Sequence, residues 1–211
     1  MPKILKADKN ISEEAVVSRA TEILAAGGVI AYPTETFYGL GVDATNENAI
    51  RKIFDLKGRN FNNPISIIID RQENLGPLVS EVPDCALKLM QLFWPGPLTI
   101  VFKASAEISP LLTAQTSKIG MRVSSHPGAL AIAKKLGHPL TATSANLSGL
   151  AECSTALEVA AQIGNKIDAL VDLGKTAGGL GSTIIDVTVN PPQILREGVI
   201  SRISIGQCLE F

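Results

Sequence analysis

Helical and strand-like segments alternate along all 211 residues, which predicts an α/β fold: a twisted mixed β-sheet with flanking helices. Three observations carry that prediction. Apolar residues recur at helical spacing in stretches that open on Ser, Asn or Thr; short runs of Val, Ile and Leu stand between them; and the later strands are joined by short turns, which requires some antiparallel pairing. The length suits one domain over 1–211, and no repeat, low-complexity stretch or linker divides it.

Ser12 is placed to cap a first helix with Glu13 and Glu14 in its opening turn and Val16, Ala20, Ile23 and Leu24 on one face, stopping at Gly27-Gly28. Val29 to Tyr32 reads as a buried strand that ends at Pro33 and delivers Thr34-Glu35-Thr36 into a loop. Asn46 caps a second helix through Ala49, Ile50, Ile53 and Phe54, and Gly58 stands where a left-handed terminating residue is expected. A strand over 65–69, a helix over 84–93, the rigid Trp94-Pro95-Gly96-Pro97 and a strand over 98–103 follow. Strand 119–123, helix 128–136 and strand 140–143 then lead into the small polar loop Ser144 to Gly149. Thr155 and Glu158 form a capping box for the next helix, and strands at 169–173, 183–189 and 193–196 complete the pattern. In such sheets ligands sit on loops beyond strand ends, where the polar clusters of this chain fall.

Hydrophobic residues make up 45%, charged residues 18% and aromatics 4%, which excludes disorder and points to an aliphatic core. Nineteen Lys and Arg against 20 Asp and Glu leave a net charge of -1, so no global field attracts nucleic acid and any anion site must be local. Cys85, Cys153 and Cys208 are odd in number and form no C-x-x-C pair, so neither a disulfide framework nor a zinc knuckle is expected, and a reduced, cytoplasmic setting is. The opening MPKILKADKNISEE has no apolar stretch of a secretory signal, and no apolar run approaches the ~18 residues that span a bilayer, so no membrane partner is expected.

Standard nucleotide motifs fail. Gly174-Lys175-Thr176 lacks the glycine that a P-loop requires five positions before Gly174, where Ala169 stands. Gly39-Leu40-Gly41 fits the start of a dinucleotide fingerprint but follows a polar loop, with no acidic residue at the required distance. His126 and His138 have no partner at ligand spacing, so no protein-built metal site is expected, and no covalent nucleophile stands out. Asn146-Leu147-Ser148 matches a glycosylation acceptor, but without a secretory signal it reads as a turn or a ligand loop.

Cations and hydroxyls remain. Lys57 and Arg59 flank Gly58 and are able to face a polyphosphate from one loop, or simply to complement a helix C-terminus. Ser144 and Asn146 offer a hydroxyl and an amide to a base, ribose or phosphate, or build an ordinary turn. Thr34-Glu35-Thr36 sits where an ammonium or hydroxyl would be read, or faces water. Arg122, inside the apolar strand 119–123, requires a buried partner, a carboxylate ligand or an outward face, and Arg196 poses a similar choice beside Glu197.

In their order and spacing, Ala31 to Gly41, Lys57-Gly58-Arg59, Trp94 to Thr99, Met121-Arg122-Val123, Ser144 to Gly149, Gly181 to Asp186 and Leu195 to Gly198 resemble the YrdC/TsaC family of threonylcarbamoyl-AMP synthases over nearly the whole chain. The resemblance implies the YrdC-like fold with a concave, locally positive cavity, in the short form without the additional C-terminal domain. It implies synthesis of L-threonylcarbamoyl-AMP and pyrophosphate from ATP, bicarbonate and L-threonine, with Mg²⁺ carried by the ATP phosphates. The product would pass to a separate tRNA threonylcarbamoyl transferase assembly. By the same resemblance Lys57 and Arg59 are catalytic; Lys57, Arg59, Asn63, Ser144, Asn146, Ser182 and Arg196 bind nucleotide; and Thr34, Arg122, Thr141 and Thr143 bind threonine. An RNA-binding module, with weak RNA contact through the positive concavity, or a non-catalytic paralogue are the alternatives. The chain departs from many relatives at Asn60, Ser124 and Thr143, where they carry proline, and at Ser66, Ile67 and Ile68, where threonine-binding relatives often have a histidine.

Overall fold

A computed structural model of the chain describes residues 2–58 and 60–210; Arg59 lies outside them. The strands form two mixed sheets where the sequence leads one to expect a single one. The first has the order β1 (Lys3–Lys6), β9 (Ala169–Asp172), β2 (Ile30–Pro33), β3 (Tyr38–Gly41) and β8 (Thr143–Ser144). The second runs β11 (Gln193–Arg196), β10 (Thr183–Asp186), β5 (Leu98–Lys103), β6 (Lys118–Arg122), β4 (Ile67–Ile68) and β7 (Leu140–Thr141). The segment read from sequence as one strand belongs to both. Its first half pairs with β4, Ile67 opposite Thr141, and its second half pairs with β3, Gly39 opposite Ser144. The two sheets therefore meet at Ala142, and the loops that frame this seam frame the site.

Local chemistry sets the helix boundaries. In α1 (Glu13–Ala25) the Ser12 hydroxyl accepts from the Ala15 amide, and Val16, Val17, Ala20 and Leu24 are buried. This helix packs against α5 (Pro127–Leu136), and the two cover Ile30, Tyr32 and Val171 of the first sheet. In α2 (Glu47–Lys57) the Asn46 side chain accepts from Ala49, and Gly58 at φ 57° ends the helix in the left-handed region that costs a side chain least when there is none. The capping box at α6 (Ala156–Ile163) is present, with Thr155 Oγ1 accepting from the Glu158 amide and Glu158 Oε2 from the Thr155 amide. Helix α3 (Asp84–Phe93) begins and ends where its sequence predicts and packs against α7 (Arg202–Leu209). Between them α4 (Pro110–Thr113) is a single turn. The Trp94–Pro95 and Asn190–Pro191 peptide bonds are cis.

The cap of α5 is titratable. His126 Nδ1 accepts from the amides of Gly128 and Ala129 at 3.1 and 3.4 Å, which requires that nitrogen to be unprotonated. Burial holds the imidazole below its ordinary 6.5, against the upward pull of Glu35 and Glu13. The folded state thus binds its proton less readily than the unfolded chain does. Stability from this group is present above 6.5 and is lost as pH falls from there through the lower folded value. Between about pH 7.5 and about pH 5.5 the unfolding free energy should fall by about 1 kcal/mol, the worth of one cap, and His126→Asn, which caps without titrating, should flatten that slope. Urea titrations at both pH values check this; equal slopes for the two proteins would take the cap out of the pH dependence.

Candidate functional site

A cavity of about 310 Å³ opens at the seam of the two sheets. The β2–β3 hairpin supplies Thr34 and Thr36, the chain entering β4 supplies Pro64 to Ile67, β6 supplies Arg122, and residues 142–144 close the floor. Ser182, ahead of β10, and Arg196, the last residue of β11, complete the opposite wall, and Glu152 is the one carboxylate on it. The lining is thus rich in hydroxyls and guanidinium groups, as an anionic ligand demands.

Lys57 and the Ser144–Asn146 pair, 87 and more residues apart in sequence, form one cluster. The Lys57 ammonium donates to the Ser144 carbonyl and, at 3.1 Å, to Asn146 Oδ1, and lies 3.4 Å from the Ser144 hydroxyl. Ser144 Oγ donates to Asn146 Oδ1 at 2.7 Å, and Ser148 Oγ donates to the Lys57 carbonyl at 2.9 Å, so the end of α2 and the polar loop are tied from both sides. Lys57 is only 6% exposed and stands one layer behind Ser144 rather than on the cavity wall. Arg59, predicted beside it, lies outside the described residues.

Arg122 is also 6% exposed, yet part of it reaches the cavity. Its Nη1 stands 3.1 Å from Glu35 Oε1, and its buried Nε has no hydrogen-bond partner among the described residues. Of the choices left open by the sequence, the structure supplies a buried partner, Glu35, and leaves Arg122 lining the cavity. Arg196 Nε and Nη2 donate to the Ser182 carbonyl at 3.1 and 2.8 Å, and Nη2 reaches Ser182 Oγ at 3.1 Å. Ser182 Oγ lies 3.0 Å from Thr99 Oγ1. Burial lowers the Arg196 pKa, Glu152 opposes that, and Arg122 adds to it, which marks two guanidinium groups sharing one hollow.

Of the residues predicted to bind, Thr34, Arg122, Thr143, Ser144, Ser182 and Arg196 line the cavity. Two stand apart. Asn63 is exposed off the wall. Thr141 is fully buried: its hydroxyl accepts from the Val42 amide at 2.9 Å and donates to the Leu40 carbonyl at 3.2 Å, and its own carbonyl accepts from Tyr32. Strand alternation would put Thr141 on the face of Thr143, but the segment changes sheets between them. Thr99 and Glu152, which the sequence does not single out as site residues, also line the cavity, since each belongs to a plain strand or loop until the fold brings it to the wall. Ser66 stands on the wall and Ile68 in the core beside Tyr32, so the segment without histidine still presents a hydroxyl. Gly174-Lys175-Thr176 is followed by no helix, and Gly39 and Gly41 lie within β3, which agrees with the failure of both nucleotide motifs.

Residues 22–198 match the family model Sua5/YciO/YrdC, described as "Telomere recombination". The chain belongs to this family. Among curated relatives it is 39% identical over 186 residues to the threonylcarbamoyl-AMP synthase of Pyrococcus abyssi, an alignment that covers 88% of this chain and 55% of that one. It is 40% identical over 179 residues to the protein of the same name from Vibrio parahaemolyticus, covering 83% and 95%. The crystal structure of P. abyssi Sua5 complexed with L-threonine superposes with a TM-score of 0.93 at 35% identity, over 99% of this chain and 61% of that one. The chain thus spans little more than half the length of the first two curated relatives it matches, 55% and 57%. The superposition shows that the two chains share a fold over nearly the whole of this one. Among the described residues no helix is long and apolar enough to cross a membrane, and no group of three or more His, Cys, Asp or Glu stands ready for a metal ion.

Proposed function

We propose that this Sua5/YciO/YrdC member is an L-threonylcarbamoyladenylate synthase that makes threonylcarbamoyl-AMP and pyrophosphate from ATP, bicarbonate and L-threonine. The observation that carries the reading is convergence: β6 and β11 bring Arg122 and Arg196 to the wall of one small cavity with hydroxyls between them, and the end of α2 sets Lys57 one layer behind Ser144 of that wall. A volume of about 310 Å³ falls at the lower end of ligand pockets, ~300–1,000 Å³, and suits an amino acid beside part of a nucleotide better than a polymer. The relative crystallised with L-threonine supports the choice of amino acid.

In this reading Arg122 takes the threonine carboxylate, while Ser144, Asn146, Ser182 and Arg196 face the nucleotide. The neutral amine of threonine adds to carbon dioxide drawn from bicarbonate and loses a proton to give a carbamate. A carbamate oxygen then attacks the α-phosphorus, and the bond to the β-phosphate oxygen breaks to release pyrophosphate. Negative charge builds on phosphate oxygens in that step, so Lys57 behind Ser144 and Arg196 across the cavity act through charge and position. No enzyme nucleophile is required. Mg²⁺ would enter with the ATP phosphates, which suits a wall with a single carboxylate, Glu152. A tRNA threonylcarbamoyl transferase assembly would consume the product.

The test is pyrophosphate release from ATP by the purified chain with each substrate omitted in turn. Release should require both L-threonine and bicarbonate. Equal release without either one would overturn the assignment.

A further inference from the structure

Arg122 holds its place in the cavity through a relay that runs away from the ligand. A guanidinium buried in the middle of a sheet is costly unless it is paired and hydrogen-bonded. Its partner is Glu35, from the loop between β2 and β3, whose two oxygens differ: Oε1 makes an ion-pair contact without a hydrogen bond among the described residues, and Oε2 is hydrogen-bonded. Oε1 faces Arg122 Nη1 at 3.1 Å, and Oε2 accepts the hydroxyl of Ser124. Ser124 is wholly buried, two residues beyond Arg122 in the chain, and its oxygen accepts from the His126 amide at 3.2 Å. The hydroxyl proton is thereby aimed at Glu35, since its oxygen's acceptor side is taken by that amide. Strand β6, the hairpin loop and the start of α5 are joined through one carboxylate, and the guanidinium has one of its ends fixed. Its buried Nε bonds to nothing among the described residues, and Arg122 is one of the residues that line the cavity.

We infer that Glu35, latched by the Ser124 hydroxyl, is a positioning residue that sets Arg122 for the carboxylate of the amino-acid substrate. The inference rests on the substrate reading given above. Charge and geometry both support it. Glu35 offsets the Arg122 charge, so the site takes up a zwitterion without a net positive excess, and the salt bridge selects one rotamer of a long side chain before the ligand arrives.

Glutamine at position 35 separates positioning from packing. If its amide oxygen keeps the Ser124 proton, its NH₂ faces the guanidinium, donor against donor; if it turns round, the Ser124 hydroxyl loses its acceptor. Calorimetric titration of L-threonine, and separately of ATP, into the wild type, Glu35→Gln and Ser124→Ala reads the effect without relying on turnover. Glu35→Gln should weaken L-threonine binding at least about tenfold and Ser124→Ala about threefold, with ATP affinity within about twofold in both. In an Arg122→Met background the Glu35→Gln effect on L-threonine should vanish, as coupling through Arg122 requires. A Glu35→Gln protein that melts lower but binds L-threonine as the wild type does would reduce the pair to a structural ion pair and overturn the inference alone. Should Glu35→Gln fail to fold, unchanged L-threonine affinity in Ser124→Ala would overturn the latch. A wild-type chain that binds ATP and no L-threonine would overturn the substrate reading, and this inference with it.

Discussion

Lys57→Met is expected to lower pyrophosphate release at least about 100-fold, the scale of losing one preorganised donor in a charge-stabilising site. Methionine keeps most of the apolar stem and removes the ammonium. The stem packs at the end of α2, so the helix itself should persist, with Gly58 still closing it. The loss falls on the polar loop: the Ser144 carbonyl and Asn146 Oδ1 each give up a charged donor in a buried place. Leaving such acceptors unmet costs about 1–3 kcal/mol. Ser144 Oγ still donates to Asn146 Oδ1 at 2.7 Å, and the bond from the Ser148 hydroxyl to the carbonyl of residue 57 then ties the loop to the helix without help from an ammonium. The Ser144 side of the cavity thus loses both its positive potential and its anchor. Lys57→Arg should not restore the rate, because a planar fork cannot occupy the point between a carbonyl and an amide oxygen that an ammonium fills. The measurements are pyrophosphate release and ATP titration, with a urea midpoint to separate the two losses. A folded Lys57→Met protein within about tenfold of wild-type turnover would remove Lys57 from the proposed chemistry.

The residues that were legible in sequence are those whose signals are local. Asn46, Gly58, Thr155 and Glu158 act within one helical turn of the element they bound, and the structure places each where its chemistry puts it. Helix 84–93 and the strands 98–103 and 193–196 likewise have their predicted bounds. Strand β3 was not legible. Its Tyr-Gly-Leu-Gly sequence has the look of a loop, yet Tyr32 lies against it so closely that a Cβ on Gly41 would stand 2.7 Å from that ring. The glycines are there for an aromatic neighbour on β2, which only the sheet reveals. Strand β1 escaped for the opposite reason: with Leu5 the only buried residue among Lys3–Lys6, the pattern is too short to show a period. Helix α7 buries only Ile205 and carries no amphipathic signal of its own; its place comes from packing on α3. At the site, Lys57, Ser144 and Asn146 were visible as members of two spaced pairs, and the structure brings the two pairs into contact through Lys57. Thr141, which the family resemblance had put beside the ligand, has its hydroxyl bonded to backbone instead, because the segment changes sheet at Ala142. The Glu35–Ser124 contact, across 89 residues, had no signal in sequence at all.

Gly198→Ala should be the most damaging single methyl in the chain. A Cβ at that position would stand 2.1 Å from the Gly181 carbonyl oxygen and 2.7 Å from the Ser182 carbonyl carbon, and backbone cannot swing aside as a side-chain tip does. The neighbourhood is closed on every side. The Gly198 amide donates to Thr183 Oγ1 at 2.9 Å, the Val199 amide to the Gly181 carbonyl at 3.0 Å, and Thr183 Oγ1 to the Ile200 carbonyl at 2.6 Å. These bonds fold the chain after β11 back onto the start of β10, and they do so beside the Ser182 carbonyl that holds the Arg196 guanidinium. Overpacking a relaxed core costs about 1–3 kcal/mol; here the neighbours are peptide groups, so a loss of at least about 3 kcal/mol is expected. Gly58→Ala provides the contrast, since its Cβ would meet nothing within 4 Å and only its positive φ resists, at about 1 kcal/mol. In whatever fraction of Gly198→Ala folds, the Gly181–Ser182 segment must withdraw from the cavity and take the Arg196 anchor with it. ATP affinity should therefore fall at least about tenfold while Gly58→Ala keeps more of it. Urea midpoints and ATP titrations of the two variants decide the matter: a Gly198→Ala protein as stable as the wild type would mean that the turn beyond β11 does not lie against Ser182, and the placement of Arg196 in the cavity would fall with it.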